Sequence, residues 1–482
     1  MTSFGAILRT SAVLLVGTVL SKGAVFVSIL LMARRLGAED FGKFSFLFAY
    51  VAFFALLADA GIESVAIREA SRERGDPGVS LGDAILLRAI LIAVAVPLAL
   101  FFHPAIRGHG GSTGLLLIAC GSLLVSNRAP SLRSLFTVPY RIALRLEVPA
   151  LLGALSEVLL LVLLFATLDR GGLTAAVSAQ VLAPLPFAFL LVVLSARMTR
   201  PIFRPDWRRL VALLRTTLPL LSALVLNVVL TRVDLLLLER LRGPAEVGLY
   251  AAPVRLAEVP TLLPVLLLTS IYPVFVANHP LYPMRTEALF RGCLRILVGL
   301  VVPVILLQAT LAKTLVTGLF GAEYGAGAAV LPVLAVCEFF VFVDIILSSR
   351  LLAAHLERRI LVVVLAALVT NVAANLILIP AHGAVGAGYA TLLAYLTRFG
   401  MTFVFRDTRL AARQALAAVL PSAAAGTATG LALFWFISTG RSPSHALLPG
   451  IALYFILLVL FRGASMSDWR AIKESRSTVS PS

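Results

Sequence analysis

The sequence has little charge. Only 13% of its 482 residues are Asp, Glu, Lys or Arg, while 60% are hydrophobic and the mean hydropathy is +0.99. Soluble proteins carry about a quarter charged residues. The core of a soluble protein could not bury so many apolar side chains, so large apolar patches would remain exposed on its surface. The composition therefore excludes an ordinary soluble domain and predicts a membrane protein.

Motifs for metals, nucleotides and disulfides are also missing. Cys120, Cys293 and Cys337 lie in or beside separate apolar runs, so we expect three buried thiols. The six histidines show no metal-ligand spacing, and no metal or other cofactor is predicted. GAEDFGKF (37–44) has the spacing of a phosphate-binding loop, but Phe44 stands where Ser or Thr is needed. No catalytic cluster and no long outside loop is visible, so an enzyme is not predicted.

Long apolar runs dominate the chain. About fourteen of them are long enough to cross a bilayer, which takes roughly 20 residues as a helix. They lie near residues 11–32, 43–66, 83–103, 114–136, 148–168, 173–195, 210–238, 250–277, 290–310, 328–349, 360–380, 384–404, 412–437 and 446–462. The third, fourth, eighth and twelfth of these runs contain Pro, Gly or Arg within or close to the apolar stretch. The sequence predicts an all-α polytopic membrane protein, whose first run is too long for a cleaved signal peptide.

The net charge of +17 is explained by membrane topology. With a cytoplasmic N-terminus, Lys and Arg favour the inside loops by roughly three to one, which is the bias of inner-membrane proteins. Both termini are therefore predicted to be cytoplasmic. The basic stretch RMTRPIFRPDWRR (197–209) is interpreted as a topology determinant, and nucleic-acid binding is not expected.

Two stretches of the chain repeat after 206 residues. ARRLGAEDFG (33–42) aligns with ERLRGPAEVG (239–248), which superimposes Gly37 on Gly243. A second pair, DRGGLTAAVSAQ (169–180) and PAHGAVGAGYAT (380–391), is offset by about 211. Glycine permits a tight reversal, so each stretch predicts a turn between two helices of a unit that is used twice.

The repeat predicts the domain organisation. Because each unit has six helices, the two units have the same orientation in the membrane and enclose a central site, as in some transporters. Helices 13 and 14 have no partner in the repeat. The predicted domains are an N-lobe (1–200), a C-lobe (201–408), helices 13 and 14 (409–465) and a cytoplasmic tail (466–482).

Cations within the spans are the candidates for substrate binding. A charge at this depth is costly unless it faces water or a partner. Lys22, one of four lysines, lies near the middle of helix 1. It either pairs with an acid such as Asp59 or faces a cavity and attracts an anion. The substrate-binding candidates also include groups on helices 7 and 8: Asn227, Thr231, Arg232 and Arg255.

Carboxylates within the spans are the candidates for ion coupling or gating. Asp59 and Glu63 are spaced to share a face of helix 2. Asp234 and Glu258 are placed to form a buried ion-pair network with Arg232 or Arg255. Such a network is either structural or a gate. The other polar groups within the spans are Glu157, Glu338, Asp344, Asn371 and Asn375. The sequence does not choose which carboxylate is coupled to transport.

An ordered set of motifs resembles the polysaccharide flippase family, often called Wzx-type, which shares a superfamily with MATE exporters and lipid II flippases. The motifs are ARRLGAEDFGKFSF (33–46), LADAGIES (57–64), TRVDLLLLERLRGPAEVGLYAAPVRLAE (231–258), SIYPVF (270–275), GAEYGAG (321–327) and NLILIPAHGAVGAGYAT (375–391). The resemblance implies two six-helix lobes in a V. It also implies alternating access and translocation of an undecaprenyl-diphosphate-linked oligosaccharide across the inner (plasma) membrane.

The implied substrate fits the cations, because a doubly charged diphosphate is stabilised by Lys22, Arg232 and Arg255 in a partly dehydrated cavity. A polysaccharide polymerase and glycosyltransferases are the expected partners, as in lipopolysaccharide or O-antigen synthesis. The alternatives are a MATE-like extruder of organic cations, which needs a net acidic site, and a lipid II flippase. A membrane-embedded polymerase or glycosyltransferase would need a clustered catalytic site.

Overall fold

The computed structural model describes residues 4–70, 76–106, 112–143, 145–204, 206–261, 263–264, 267, 272, 274–276, 283–440, 442–461 and 463. Within these residues there are helices, turns and irregular segments but no strand, which confirms the all-α prediction. The chain divides into two compact units, Met1–Gly248 and Leu249–Ser482. The predicted span 250–277 lies partly outside the described residues, and the predicted tail 466–482 lies wholly outside them.

The helices are named here in chain order. They are α1 (Phe4–Asp59), α2 (Ile62–Ala70), α3 (Pro77–Ile106), α4 (Thr113–Cys120), α5 (Ser122–Val125), α6 (Leu132–Leu135), α7 (Val138–Ile142), α8 (Glu147–Leu182), α9 (Leu185–Met198), α10 (Trp207–Arg242), α11 (Pro244–Ala257), α12 (Pro283–Thr310), α13 (Ala312–Phe320), α14 (Val330–Ala353), α15 (Glu357–Met401), α16 (Arg406–Ser438) and α17 (Pro443–Leu460). Val259–Thr261 and Ala322–Ala329 form short 3₁₀ segments.

Eight helical stretches of the described residues are long and apolar enough to cross a membrane. The longest, Gly17–Ala70, has 54 residues, and a straight helix of that length would measure about 80 Å, far more than a bilayer. It is divided by Gly37, whose φ of 77° is not helical. Gly172 and Gly383 divide α8 and α15 in the same way. These three glycines lie between adjacent predicted spans, which confirms the predicted turns.

The backbone at the turns matches the predicted repeat. Gly37 has φ 77° and ψ 171°, and Gly243, its counterpart 206 residues later, has φ 89° and ψ 177°. Gly172 has φ 50° and ψ −135°, and Gly383, 211 residues later, has φ 54° and ψ −132°. Side chains rarely tolerate these conformations, so glycine is required at corresponding places. The division into lobes at residues 200 and 408 stays a prediction.

The fourth predicted span is not a continuous helix. Residues 113–142 form four short helices, α4 to α7, with an irregular segment at 126–131 that contains Pro130. Side chains satisfy part of the irregular backbone: Ser126 Oγ accepts from the amides of Arg128 and Ala129 at 3.0 and 3.1 Å. Broken helices at membrane depth are tolerated where such partners exist.

The basic segment between α9 and α10 lies along the start of α3. The Ile202 amide donates to the Gly78 carbonyl at 2.8 Å. A Cβ atom built on Gly82 would lie 2.2 Å from the Ile202 carbonyl oxygen, so the approach requires glycine. Arg209 Nε lies 3.4 Å from an Asp83 carboxylate oxygen and holds the end of the same segment.

In the second unit, α16 and α17, the two helices without a repeat partner, pack against α12. The fully buried Tyr454 donates its hydroxyl hydrogen to the Gly299 carbonyl at 3.1 Å. The core also includes Phe290 and Phe342, both completely buried. The two additional helices are therefore part of the hydrophobic core of this unit.

Candidate functional site

Arg88 on α3 organises the first polar cluster within the apolar helices. Its guanidinium is 1% exposed and forms an ion pair with Asp59 at the end of α1. Nη1 also donates to the Ser131 carbonyl and to Ser134 Oγ, both at 2.7 Å. Arg88 thus neutralises a buried carboxylate and satisfies the backbone of the break in the fourth span.

The same cluster includes Glu63. Ser134 Oγ donates to Glu63 Oε2 at 2.7 Å, and Arg141 Nη2 lies 3.0 Å from Glu63 Oε1. The prediction that Asp59 and Glu63 share one helical face is wrong, because α1 ends at Asp59 and α2 begins at Ile62. Ala60 between them has φ 46°. Both carboxylates nevertheless reach one hydrogen-bonded network.

Glu157 on α8 lies at the centre of a second cluster. Arg128, from the irregular segment at 126–131, donates to both of its carboxylate oxygens, at 3.2 Å from Nε and 2.5 Å from Nη2. Arg128 Nη1 reaches Gln180 Oε1 at 3.4 Å. This bidentate geometry is the strong form of an arginine–carboxylate pair and fixes the broken span against α8.

Lys22 lies exposed on α1, between the exposed Leu20 and the open face at Gly23. The sequence indicates Asp59 as a possible partner of Lys22, but Asp59 is bound by Arg88 instead. Among the described residues, Lys22 makes no hydrogen bond or ion pair. An ammonium group halfway along an apolar helix must face water or an anion, so Lys22 retains its predicted role as an anion-binding candidate.

The candidates on α10 lie in the first unit, where α10 packs against α1 and α3. Asp234 is 6% exposed, and its Oδ1 accepts from the Leu235 amide at 2.8 Å. Arg232 is half-buried, whereas Thr231 is exposed and its hydroxyl donates to the Val228 carbonyl at 3.3 Å. The side chain of Asn227 lies outside the described residues, so its predicted role stays a prediction.

Arg255 and Glu258 form a pair in the second unit. Arg255 Nη1 lies 3.0 Å from Glu258 Oε2, which confirms that the two side chains meet at spacing i, i+3. Their side chains are 29% and 45% exposed, so the pair is not the buried network that the sequence predicted. Arg255 is thus engaged by Glu258 through Nη1, and both side chains are partly open to solvent.

The remaining polar groups of the second unit lie on α14 and α15. Arg398 Nε binds Asp344 Oδ1 at 2.7 Å, and the Asn375 amide donates to Asn371 Oδ1 at 3.0 Å. Glu338 is 6% exposed, and its Oε2 has no hydrogen-bond partner in the described part of the chain. The sequence identifies Glu157 and Asp344 as polar groups within the spans but not their partners, which are Arg128 for Glu157 and Arg398 for Asp344.

The two repeated turns meet each other. A Cβ atom on Gly42 would lie 1.8 Å from the Pro244 carbonyl oxygen, and one on Gly248 would lie 1.9 Å from the Ala38 carbonyl oxygen. Gly42 and Gly248 are the counterparts predicted by the 206-residue offset. The turns therefore pack backbone against backbone in a nearly symmetric contact that only glycine allows.

These groups can bind and neutralise charge, and the described residues contain no group of three or more His, Cys, Asp or Glu side chains that could hold a metal ion. Ion pairs between different elements hold the helices together: Asp59 with Arg88, Glu157 with Arg128, and Asp344 with Arg398.

The chain is similar to a family model, to a curated protein and to several solved structures. A family model described as polysaccharide biosynthesis protein matches residues 7–279. The probable low-salt glycan biosynthesis flippase Agl15 of Haloferax volcanii is 22% identical over 394 residues, which are 80% of this chain and 80% of the relative.

Among solved structures, the lipid II flippase MurJ in an inward closed conformation has a TM-score of 0.65 at 15% identity and covers 92% of this chain and 98% of its own. An inward-facing MATE family multidrug transporter of the MOP superfamily also has a TM-score of 0.65 at 15% identity, covering 82% and 95%. These likenesses establish the fold of a polytopic membrane transporter. Because the family model spans more than half of the chain, the protein belongs to the polysaccharide biosynthesis protein family.

Proposed function

We propose that this protein translocates undecaprenyl-diphosphate-linked oligosaccharide units across the cytoplasmic membrane by alternating access, for the synthesis of cell-surface polysaccharide. The family match over residues 7–279 carries the proposal. The name of the Haloferax volcanii relative, a probable glycan biosynthesis flippase, and the fold shared with a lipid II flippase support it.

The charge distribution agrees with an anionic head group. Lys22 is exposed within an apolar helix and makes no ion pair among the described residues, so it is available to a diphosphate. Arg232 and Arg255 are the other two cations proposed to stabilise the phosphates. The polyprenyl tail remains in lipid while the sugar crosses, so the protein needs to shelter only the polar part.

An extruder of organic cations is the second candidate, since a MATE transporter has a similar fold. Such a site needs free carboxylates. In the first unit, several carboxylates within or beside the apolar helices are held by arginine: Asp59 by Arg88, Glu157 by Arg128, and Asp83 by Arg209. This pairing favours the flippase over the extruder. Lipid II remains the alternative lipid-linked substrate, because a lipid II flippase shares the fold.

The proposed setting is the plasma membrane, with both termini in the cytoplasm and the basic segment at 197–209 on the inner side. The protein acts as a transporter and not as an enzyme. A polysaccharide polymerase and glycosyltransferases are its proposed partners, because they would consume and supply the lipid-linked substrate.

Export of surface polysaccharide in a strain that lacks its own flippase tests the proposal. We expect Lys22→Ala to lower export about tenfold or more, since truncating one member of a desolvated charge pair costs 2 kcal/mol or more. Lys22→Arg should retain most of the activity. Lys313→Ala removes another exposed lysine, on α13, and serves as the matched control. Normal export by Lys22→Ala, at equal membrane abundance, would remove Lys22 from the site.

A further inference from the structure

Glu338 differs from the other carboxylates within the apolar helices whose contacts are described above. Several of those acids have an arginine as a direct partner: Asp59 with Arg88, Glu157 with Arg128, and Asp344 with Arg398. Each pair offsets the cost of placing a charge at membrane depth. Glu338 lies on α14, 6% exposed, and its Oε2 has no hydrogen-bond partner in the described part of the chain.

Two arginines of the second unit are engaged by other carboxylates. Arg398, on the facing helix α15, binds Asp344 Oδ1 at 2.7 Å. Arg255 is bound to Glu258 at 3.0 Å. Both arginines thus serve acids other than Glu338, which lies six residues before Asp344 on α14.

Two titratable groups on other elements lie within electrostatic range of Glu338, and neither is a cation. One is Glu258, from the turn after α11. The other is Tyr395 on α15, which is also within range of Cys337, Asp344 and Arg398. A buried carboxylate with no cation to offset its charge takes up a proton or a cation.

A proton is the ligand that fits. One unpartnered oxygen is enough to hold a proton, whereas a metal ion needs several converging ligands. The described residues contain no group of three or more His, Cys, Asp or Glu side chains that could hold a metal ion. Sodium also binds carbonyl and amide oxygens, so it is tested separately below.

We propose that Glu338 is the proton-binding site that couples transport to the proton gradient. It carries the proton while α14 is buried in its present packing. It releases the proton to water, as a carboxylate, when the transport cycle exposes it. This inference rests on the flippase function proposed above and adds the coupling site to it.

Labelling with dicyclohexylcarbodiimide tests the site without any transport substrate. The reagent adds the protonated carboxyl across its C=N bond, so it modifies only acids that carry a proton in an apolar setting. In the full-length protein in liposomes, mapped by mass spectrometry, we expect modification at Glu338 that falls as pH rises from 6 to 9. Glu357, an exposed acid at the start of α15, is the internal reference and should remain unmodified.

Three labelling results would overturn the proposal: no modification of Glu338 at any pH, equal modification of the exposed Glu357, or protection of Glu338 by sodium at constant pH. Sodium protection would mean that a metal cation occupies the site instead of a proton.

A transport measurement tests the coupling. Flipping of a fluorescent polyprenyl-diphosphate oligosaccharide into liposomes is followed with and without a pH gradient. We expect the pH gradient to change the flipping rate of the wild-type protein several-fold. The flipping rate of Glu338→Gln should not depend on the gradient. Glu357→Gln, which alters an exposed acid at the start of α15, is the control. A gradient response in Glu338→Gln equal to wild type would refute the coupling.

The two experiments separate the two proposals. If the wild-type protein moves no lipid-linked oligosaccharide at all, the proposed function fails. The labelling result still decides whether Glu338 holds a proton.

Discussion

The contact between the repeated turns gives the sharpest structural prediction. A Cβ atom on Gly42 would lie 1.8 Å from the Pro244 carbonyl oxygen, whereas an ordinary contact begins at 3.4 Å. Alanine at this position therefore requires the two turns to separate by about 1.6 Å, the difference between the two distances. The obstacle is backbone, which cannot rotate away as a side chain can.

The expected cost follows from the geometry. Overpacking a closed contact costs about 1–3 kcal/mol. A free-energy difference of about 1.4 kcal/mol changes an equilibrium constant tenfold. Gly42→Ala should therefore shift the equilibrium from packed to separated turns by roughly 5- to 150-fold. Gly248→Ala should act alike, since its Cβ would lie 1.9 Å from the Ala38 carbonyl oxygen. The double variant should cost less than the sum, because both substitutions break the same contact.

Thiol labelling measures the separation. Val247, next to Gly248, is fully buried, so Val247→Cys reports on the opening of the contact. The three native cysteines are buried and give a low background. With a membrane-impermeant maleimide, we expect Gly42→Ala to raise the labelling rate of Val247→Cys at least about fivefold.

The control for this experiment is Gly153→Ala, which has no atom within 4 Å of the added Cβ. It should leave the labelling rate of Val247→Cys unchanged. An unchanged rate in both Gly42→Ala and Gly248→Ala, in folded protein, would refute the reasoning about the turns.

Three further predictions concern stability. The first two are read as a change in thermal unfolding of the purified protein, and the third is read by limited proteolysis. Arg88→Ala should destabilise the first unit by about 3–5 kcal/mol, because it leaves Asp59 buried without its partner. Replacing both residues by apolar ones should recover much of the loss, and equal loss in both variants would contradict this. Tyr454→Phe should lower the free energy of unfolding by about 1 kcal/mol, because it removes the hydrogen bond to the Gly299 carbonyl. An unchanged unfolding temperature would show that this bond does not stabilise the protein. Gly82→Ala should detach the segment at Ile202 and increase its proteolysis, and unaltered cleavage would argue against the close approach.

The turns and spans were predictable because local patterns determine them. A long apolar run must be helical in lipid, and a glycine between two such runs marks a reversal. The 206-residue offset identified Gly37 and Gly243 as counterparts, and their backbone angles agree. The Arg255–Glu258 contact was also predictable, because residues three apart are neighbours in a helical turn. The Glu258 amide, just after α11, still donates to the Val254 carbonyl at 2.9 Å.

Partners on different helices were not predictable. Asp59 meets Arg88, and Asp344 meets Arg398, across helices whose packing no spacing rule determines. The one available signal is that arginine is rare within an apolar run, and Arg88 lies inside the third predicted span. The break in the fourth span was visible only as a crowding of polar residues and Pro130.

The most direct test of the central claim compares two substrates in the same liposomes. One is a fluorescent polyprenyl-diphosphate oligosaccharide, whose flipping is measured by quenching from outside, and the other is the organic cation ethidium. We predict that the wild-type protein flips the anionic lipid and accumulates no ethidium, and that Lys22→Ala loses the flipping. Ethidium accumulation without lipid flipping would contradict the account.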